Sequence, residues 1–441
     1  MQAAGAVFRL LQGKRGLSRA VRSYGGEATS DAGAGDTSAT RSSRRSVDVS
    51  PPCPFSRDEV LAWLKEDDDW KLSFLWEEAD RVRREHVGDE VHLRGLIELS
   101  SYCRRDCLYC GIRASRKIER YRMTEEEVME CVRTAQKLEY GTVVLQSGED
   151  LGLTSDFITR VVRRIKTETP LAVTLSLGER SLDEMKEWRM AGADRYLLKH
   201  ETSDPELFRR IHPEDRAFPV QSRGKTGTVP SQGPVRLPGT VPALPEGSSN
   251  PRVELLMRLR ELGYEIGSGV MVGIPGQSYE SLADDIMLFR ELDLEMIGCG
   301  PFVPHPETPL GRQAGESMGT VHNGTVPGFA DGRSQVPATD TMTTKVVALT
   351  RLVCPDANIP STTALATVNR EHGRELGLER GANVWMPNLT PLKYRILYEI
   401  YPGKAKVIDT AEEFHQNLLA TLAHIGRVPG KGPGGRKRVI Q

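Results

Sequence analysis

Cys103, Cys107 and Cys110 lie within eight positions of one another in SSYCRRDCLYCGIR, residues 101–114, with the spacing C-x3-C-x2-C. A closed tetrahedral metal site takes four protein ligands. Three thiolates can instead hold three irons of a 4Fe-4S cluster and leave the fourth iron open to an exogenous ligand. For the triplet taken alone, a three-cysteine zinc site with a distant fourth ligand is the other reading.

Further polar groups stand at the ends of β-rich runs. QSGED, residues 146–150, offers Ser147, Gly148 and Glu149, and GVMVGIPGQ, residues 269–277, has small residues that let backbone approach a ligand. KHET follows an apolar RYLL and brings Lys199, His200 and Glu201; PSTTA brings Thr362 and Thr363. A glutamate buried at a strand end wants a cationic partner. Arg252, which opens a helix, is expected to pair with Glu201. Cationic and hydroxyl donors converging in this way suit a small anionic substrate.

These groups need a scaffold that brings strand ends together. From Glu90 onward, short β-rich runs alternate with amphipathic helices: HLRGLIELS, TVVLQSG, AVTLSLG, RYLLKHE, GSGVMVGIP, EMIGCGPFVP, PSTTALATV and NVWMPNL are the eight expected strands. Such alternation implies an α/β fold with an all-parallel sheet, and eight strands close into a (β/α)8 TIM-type barrel whose active site lies at the C-terminal strand ends. The cysteine loop directly follows the first strand. Capping boxes at Ser56/Glu59 and Thr124/Glu127 mark helix starts.

The expected organisation is a leader over 1–47, N-terminal helices over 48–89, the barrel over 90–405, and a C-terminal helix and tail over 406–441. Gly-, Pro- and Ser-rich stretches at 217–250 and 312–341 read as disordered insertions in barrel loops. The leader carries Arg9, Lys14, Arg15, Arg19 and Arg22 and no acid before Glu27, the composition of an organellar transit peptide for a mitochondrion, hydrogenosome or chloroplast. Lys+Arg 59 against Asp+Glu 60 gives no global pull toward nucleic acid, and no apolar run is long enough for a membrane helix. Seven cysteines, an odd number in a long chain, point to a reducing compartment.

With these residues in view, the chain resembles the radical S-adenosylmethionine (SAM) superfamily, and within it the HydE-type maturases of FeFe-hydrogenase. The likeness rests on the cysteine triplet with Tyr109 before its last member, and on VLQSGED, TLSLGE, RYLLKHETSDPELFRRIHP, VMVGIPGQ, GCGPFVPHPETPL, NIPSTTA and GANVWMPNLTPLKYRILYEIYPGK. It implies a radical SAM barrel in which Cys103, Cys107 and Cys110 hold one 4Fe-4S cluster. SAM would chelate the open iron and be cleaved reductively to a 5′-deoxyadenosyl radical. Ser147, Gly148 and Glu149 fall where the superfamily binds the SAM amino group, with Ser147 in place of a glycine. Glu201, Arg252, Met386, Tyr398 and Tyr401 match SAM-pocket positions, and Thr362 and Thr363 match positions that meet substrate anions. Lys199 stands where some members have arginine, keeping the charge without the bidentate fork. The region GKAKVIDTAEEFHQNLLATL has no cysteine, so no auxiliary 2Fe-2S cluster is expected. The implied partners are a small iron–cyanide–carbonyl–cysteine substrate, a sister radical SAM maturase, a scaffold GTPase maturase and an electron donor such as ferredoxin. An amino-acid mutase of the methylornithine synthase type and a biotin synthase-like enzyme are the alternatives.

Overall fold

A computed structural model describes residues 55–213, 250–319, 334–404 and 410–436. The leader, Cys53 and the greater part of both expected insertions lie outside the described residues.

Hydrophobic patterning sets the layers. Two N-terminal helices, α1 (Arg57–Leu64) and α2 (Asp69–Val87), precede β1 (Glu90–Ser100). Ser56 and Glu59 make the expected reciprocal cap of α1. All of β1 beyond its first residue is buried, as in a strand covered on both faces. Helix α3 (Glu125–Lys137), capped by Thr124 and Glu127, leads to β2 (Thr142–Ser147); α4 (Ser155–Glu168) to β3 (Ala172–Ser176); and α5 (Leu182–Ala191) to β4 (Arg195–Leu197). Helices α6 (Pro205–Ile211) and α7 (Pro251–Glu261) precede β5 (Glu265–Val272), and α8 (Tyr279–Glu291) precedes β6 (Met296–Pro301). Leu282, Ile286 and Phe289 of α8 are fully buried, as their spacing requires.

The remaining elements are α9 (Pro309–Gly319), α10 (Asp340–Val353), α11 (Thr363–Val368), α12 (Gly373–Glu379), β7 (Val384–Trp385), α13 (Leu392–Arg395), α14 (Ala411–His424) and β8 (Val428–Pro429). The strands run parallel in the order β6-β5-β4-β3-β2-β1-β7. Single parallel bridges, Met296 to Asn358 and Pro360 to Val384, carry the ring from β6 round to β7. This is the (β/α) barrel that the alternation implies.

One expected strand is not formed. Of PSTTALATV only Pro360 bridges a neighbour, and residues 363–368 are α11. The Thr362 hydroxyl accepts from Leu365 N and caps that helix, so capping overrides the β-propensity of the Thr and Val residues. The expected insertions are also too wide. Asn250 is buried and caps α7 while its amide donates to His200 O and Thr202 O. Residues 312–319 belong to α9, Gln335 bridges Ser278, and Val336 is core.

The C-terminal tail closes the barrel floor: β8 pairs with Glu90 and Val91, Arg94 and Asn358 donate to Gly434 O, and Thr142 donates to Pro433 O. Among the described residues no helix is long and apolar enough to cross a membrane.

Candidate active site

The cysteine loop leaves β1 at Ser100 and is fastened by backbone hydrogen bonds on three sides. Arg104 N donates to Glu149 O (2.9 Å), Leu108 N to Ile211 O (3.0 Å) and Gly111 N to Ile400 O (2.8 Å). The second strand end presses directly on it. A Cβ on Gly148 would stand 2.2 Å from Tyr102 O and 2.8 Å from Cys103 Cβ, so only glycine fits there. Glu149 N donates to Cys103 Sγ at 3.4 Å.

The Glu149 carboxylate does something other than expected. It accepts from Arg104 and from Arg105 Nε (3.0 Å), and Oε2 also takes Glu179 N (3.1 Å). Its charge is used to hold two arginines of the loop. Ser147 lines the cavity, with its hydroxyl turned to Gly148 O (2.5 Å).

All three cysteines face one cavity of about 380 Å³ in the barrel lumen, within the range of small-molecule sites. Burial raises the Cys103 thiol and pushes the Cys110 thiol up to about 12, where a negative Cys103 adds to the effect. Iron bound there would reverse that balance, because coordination of the thiolate displaces the proton, which is released. Among the described residues no three His, Cys, Asp or Glu side chains converge as one mononuclear ion requires. Thiolates that each bind a different iron of a cluster need no such convergence. Three cysteines on one cavity fit a cluster that keeps one iron open.

Glu201 is the most constrained residue of the site. It has φ +65, in the left-handed region, and is clamped by Glu201 N to Gly269 O (3.0 Å) and Met271 N to Glu201 O (3.2 Å). A non-glycine residue there costs on the order of 1–3 kcal/mol, a strain that collects at functional sites. Lys199 Nζ approaches Glu201 Oε2 at 3.1 Å, yet that buried oxygen has no aligned hydrogen bond; the residue lines the cavity. The expected Glu201–Arg252 pair is not formed. Arg252 Nε donates to Glu179 Oε1 (2.9 Å) and Nη1 to Lys199 O (3.0 Å). Glu179 begins the loop after β3 and lies nearer the start of α7, so it takes the arginine.

His200 does not reach the lumen. Side chains alternate along a strand, so Lys199 and Glu201 point inward and His200 outward. It is fully buried behind the wall, with Nδ1 2.8 Å from Ser268 Oγ and its ring edge-on to Phe289. Nε2 lies 3.9 Å from Asp285 Oδ1.

Across the lumen, Thr362, Thr363, Met386, Tyr398 and Tyr401 line the same cavity as the cysteines. The Thr363 hydroxyl accepts from Arg374 Nη2 (2.9 Å). Lys404 also lines the cavity and makes a short ion pair with fully buried Glu98, whose other oxygen accepts from Asn388 Nδ2 (3.1 Å). The Lys404 ammonium lies 4.4 Å over the Tyr398 ring.

Sequence reasoning missed Glu179, Lys404 and the clamp on Tyr109. Glu179 had the same signal as Glu201, an acid just past a strand. Lys404 follows no strand and carried none. Tyr109 is fixed by His212, whose Nε2 is 3.0 Å from the phenol while Nδ1 donates to Phe208 O (3.1 Å).

The Radical SAM superfamily model matches residues 97–289. The chain is 41% identical over 388 residues to the FeFe hydrogenase maturase subunit HydE of Thermotoga maritima, covering 88% of this chain and 95% of that one. It is 24% identical over 332 residues to 3-methylornithine synthase of Methanosarcina acetivorans, covering 75% and 78%. The crystal structure of methylornithine synthase superposes with a TM-score of 0.63 at 22% identity over 85% of this chain and 94% of that one, a likeness of fold. With the cysteine loop at the mouth of a parallel barrel and a relative alike over nearly its whole length, the chain belongs to the HydE family of FeFe-hydrogenase maturases, within the radical SAM superfamily.

Proposed function

We propose that this protein is a radical SAM enzyme acting in assembly of the di-iron subcluster of the FeFe-hydrogenase active site. The observation that carries the reading is that Cys103, Cys107, Cys110, Lys199, Glu201 and Thr362 line one cavity at the C-terminal end of a parallel barrel.

In this reading Cys103, Cys107 and Cys110 hold a single 4Fe-4S cluster, and SAM binds beside it. Bound together, they supply a one-electron reductive cleavage of SAM to a 5′-deoxyadenosyl radical. The chain's own residues bind, orient and exclude water. Glu201 offers a carboxylate to the ammonium of SAM, and Arg252, held by Glu179, offers a guanidinium to its carboxylate. Tyr398 and Met386 cover the site from the far wall. Lys199, Thr362 and Thr363 present one cation and two hydroxyl-bearing positions to an anionic iron–cyanide–carbonyl–cysteine substrate. A sister radical SAM maturase would supply that substrate, a scaffold GTPase would receive the product, and residues 1–47 would direct the chain to an organelle.

The mutase reading has weaker support, since identity to 3-methylornithine synthase is 24% against 41% to the hydrogenase maturase subunit. Anaerobic reconstitution with iron and sulfide tests the chemistry. Uptake of four irons per chain and formation of 5′-deoxyadenosine under reduction, both lost in Cys107→Ala, are expected. Stoichiometric zinc in anaerobically purified protein would overturn the assignment.

A further inference from the structure

Among the described residues, Tyr109, Tyr398 and Tyr401 line the lumen cavity. A phenolic O–H bond is weaker than the C–H bond of a 5′-methyl group. A 5′-deoxyadenosyl radical therefore takes a hydrogen atom downhill from any phenol whose hydrogen it can reach. Tyr109 is the tyrosine placed between two of the cluster cysteines, Cys107 and Cys110. Its hydroxyl does not address the lumen. It lies 3.0 Å from Nε2 of His212, a residue that is 2% exposed, closes α6 and stands behind the cavity lining.

The other ring nitrogen sets the direction of that bond. Nδ1 is 3.1 Å from Phe208 O, and a carbonyl only accepts, so Nδ1 carries the proton. Burial, with the charge of Arg252 adding to it, holds His212 well below the usual histidine range and keeps the ring neutral. A neutral ring with its proton on Nδ1 offers Nε2 only as an acceptor, so the Tyr109 phenol is the donor. Packing fixes the arrangement. Tyr109 sits against a small apolar cluster of Leu207, Ile211, Ile274, Phe302 and Leu310, apart from the main core. The Phe208 ring lies 4.3 Å from the His212 ring, and Leu108 N is tied to Ile211 O at 3.0 Å. Tyr109 thus gives its ring to the lumen and its hydroxyl proton to the wall.

We propose that His212 is a positioning residue that withholds the Tyr109 O–H from the 5′-deoxyadenosyl radical. The inference rests on the reading that this chain cleaves SAM reductively. With the clamp gone, a bond would form between C5′ and the phenolic hydrogen as the O–H bond breaks. The products would be 5′-deoxyadenosine and a tyrosyl radical, with the substrate untouched. With the clamp in place, the hydrogen is held between two heavy atoms and the radical is kept for the substrate. Sending the proton to His212 and the electron to C5′ is not an alternative, because an alkyl radical is a poor electron acceptor.

The test reduces the full chain, reconstituted with iron and sulfide, in D2O with SAM and no substrate. Deuterium at C5′ of the 5′-deoxyadenosine formed is read by mass spectrometry, per iron bound. His212→Leu should raise it several-fold over wild type and give a tyrosyl signal in electron paramagnetic resonance. Adding Tyr109→Phe should return both to the wild-type level. A merely structural hydrogen bond predicts the opposite pattern, in which Tyr109→Phe alone repeats the defect of His212→Leu and does not cure it. That pattern, or wild-type deuterium in His212→Leu, would overturn the proposal. A second measurement needs neither cluster nor SAM and relies on a variant that removes a single oxygen. In 15N-histidine NMR of the apoprotein, the imidazole whose signal shifts in Tyr109→Phe should carry its proton on Nδ1. A proton on Nε2 would overturn the proposal. Failure of the wild type to form 5′-deoxyadenosine would instead defeat the functional reading, with the NMR result still deciding the direction of the bond.

Discussion

Arg252 Nε lies 2.9 Å from Glu179 Oε1, while Glu201, the acid next to it in the site, is left with Lys199 at 3.1 Å. Two acids therefore meet three cations at the lumen wall: Glu179 takes Arg252 and, at 3.0 Å, Arg105 of the cysteine loop, while Glu201 takes Lys199. Removing one member of a buried pair strands the other, which costs about 3–5 kcal/mol, and part of that appears in ligand affinity. Glu179→Gln, although not a cavity-lining side chain, should weaken SAM binding by about tenfold or more while iron content holds. Isothermal titration with SAM measures it; an unchanged Kd would mean that Arg252 does not need Glu179.

Gly148→Ala tests the seam between the second strand and the cysteine loop. The added Cβ would meet Tyr102 O at 2.2 Å, a backbone atom that cannot swing aside. Cluster uptake should drop severely while circular dichroism changes little, because the clash displaces the start of the cysteine loop and leaves the barrel strands in place. Normal iron content in this variant would show that the loop can be held without that contact.

The barrel, its N-terminal helices and the cysteine loop were legible because alternation, capping and spacing are local signals. The seventh ring position was not, since the Thr and Val residues of 362–368 favour strand until the Thr362 cap is counted. Partner choice was the other failure. Glu201 and Arg252 both belong to the site, but which acid takes the arginine depends on where the loop after β3 meets the start of α7, a long-range fact. His200 was misplaced although the period of two would have turned it outward.

His200 and Asp285 predict an unusual pH profile. Burial pushes His200 down to about 3, with Lys199 and Arg252 adding to it, and pushes Asp285 up to about 7 against the hydrogen bonds from Ser203. Asp285, raised above its unfolded value, contributes stability that is full below about pH 4 and is lost as pH rises through about 7. His200, lowered, contributes stability present above about pH 6.5 and lost as pH falls toward about 3. Between about pH 4 and 6.5 the two slopes oppose each other. Asp285→Asn should therefore make denaturation midpoints fall on acidification in that window, and His200→Gln should make them rise. Parallel profiles in both variants would refute the linkage.

The Glu98–Lys404 pair lends itself to a double-mutant cycle. Lys404→Met alone leaves a fully buried carboxylate with only Asn388 and should cost about 3–5 kcal/mol. Adding Glu98→Gln should restore most of that in urea denaturation of the apoprotein. If the two losses simply add, the ion pair contributes nothing beyond its separate members.

The central claim is met most directly by anaerobic co-expression of this chain with apo-FeFe-hydrogenase and the other two maturases, with hydrogen evolution as the readout. Hydrogen evolution should require this chain and disappear with Cys110→Ala. Full activation without the chain, or none with it while the purified protein still cleaves SAM, would contradict the account.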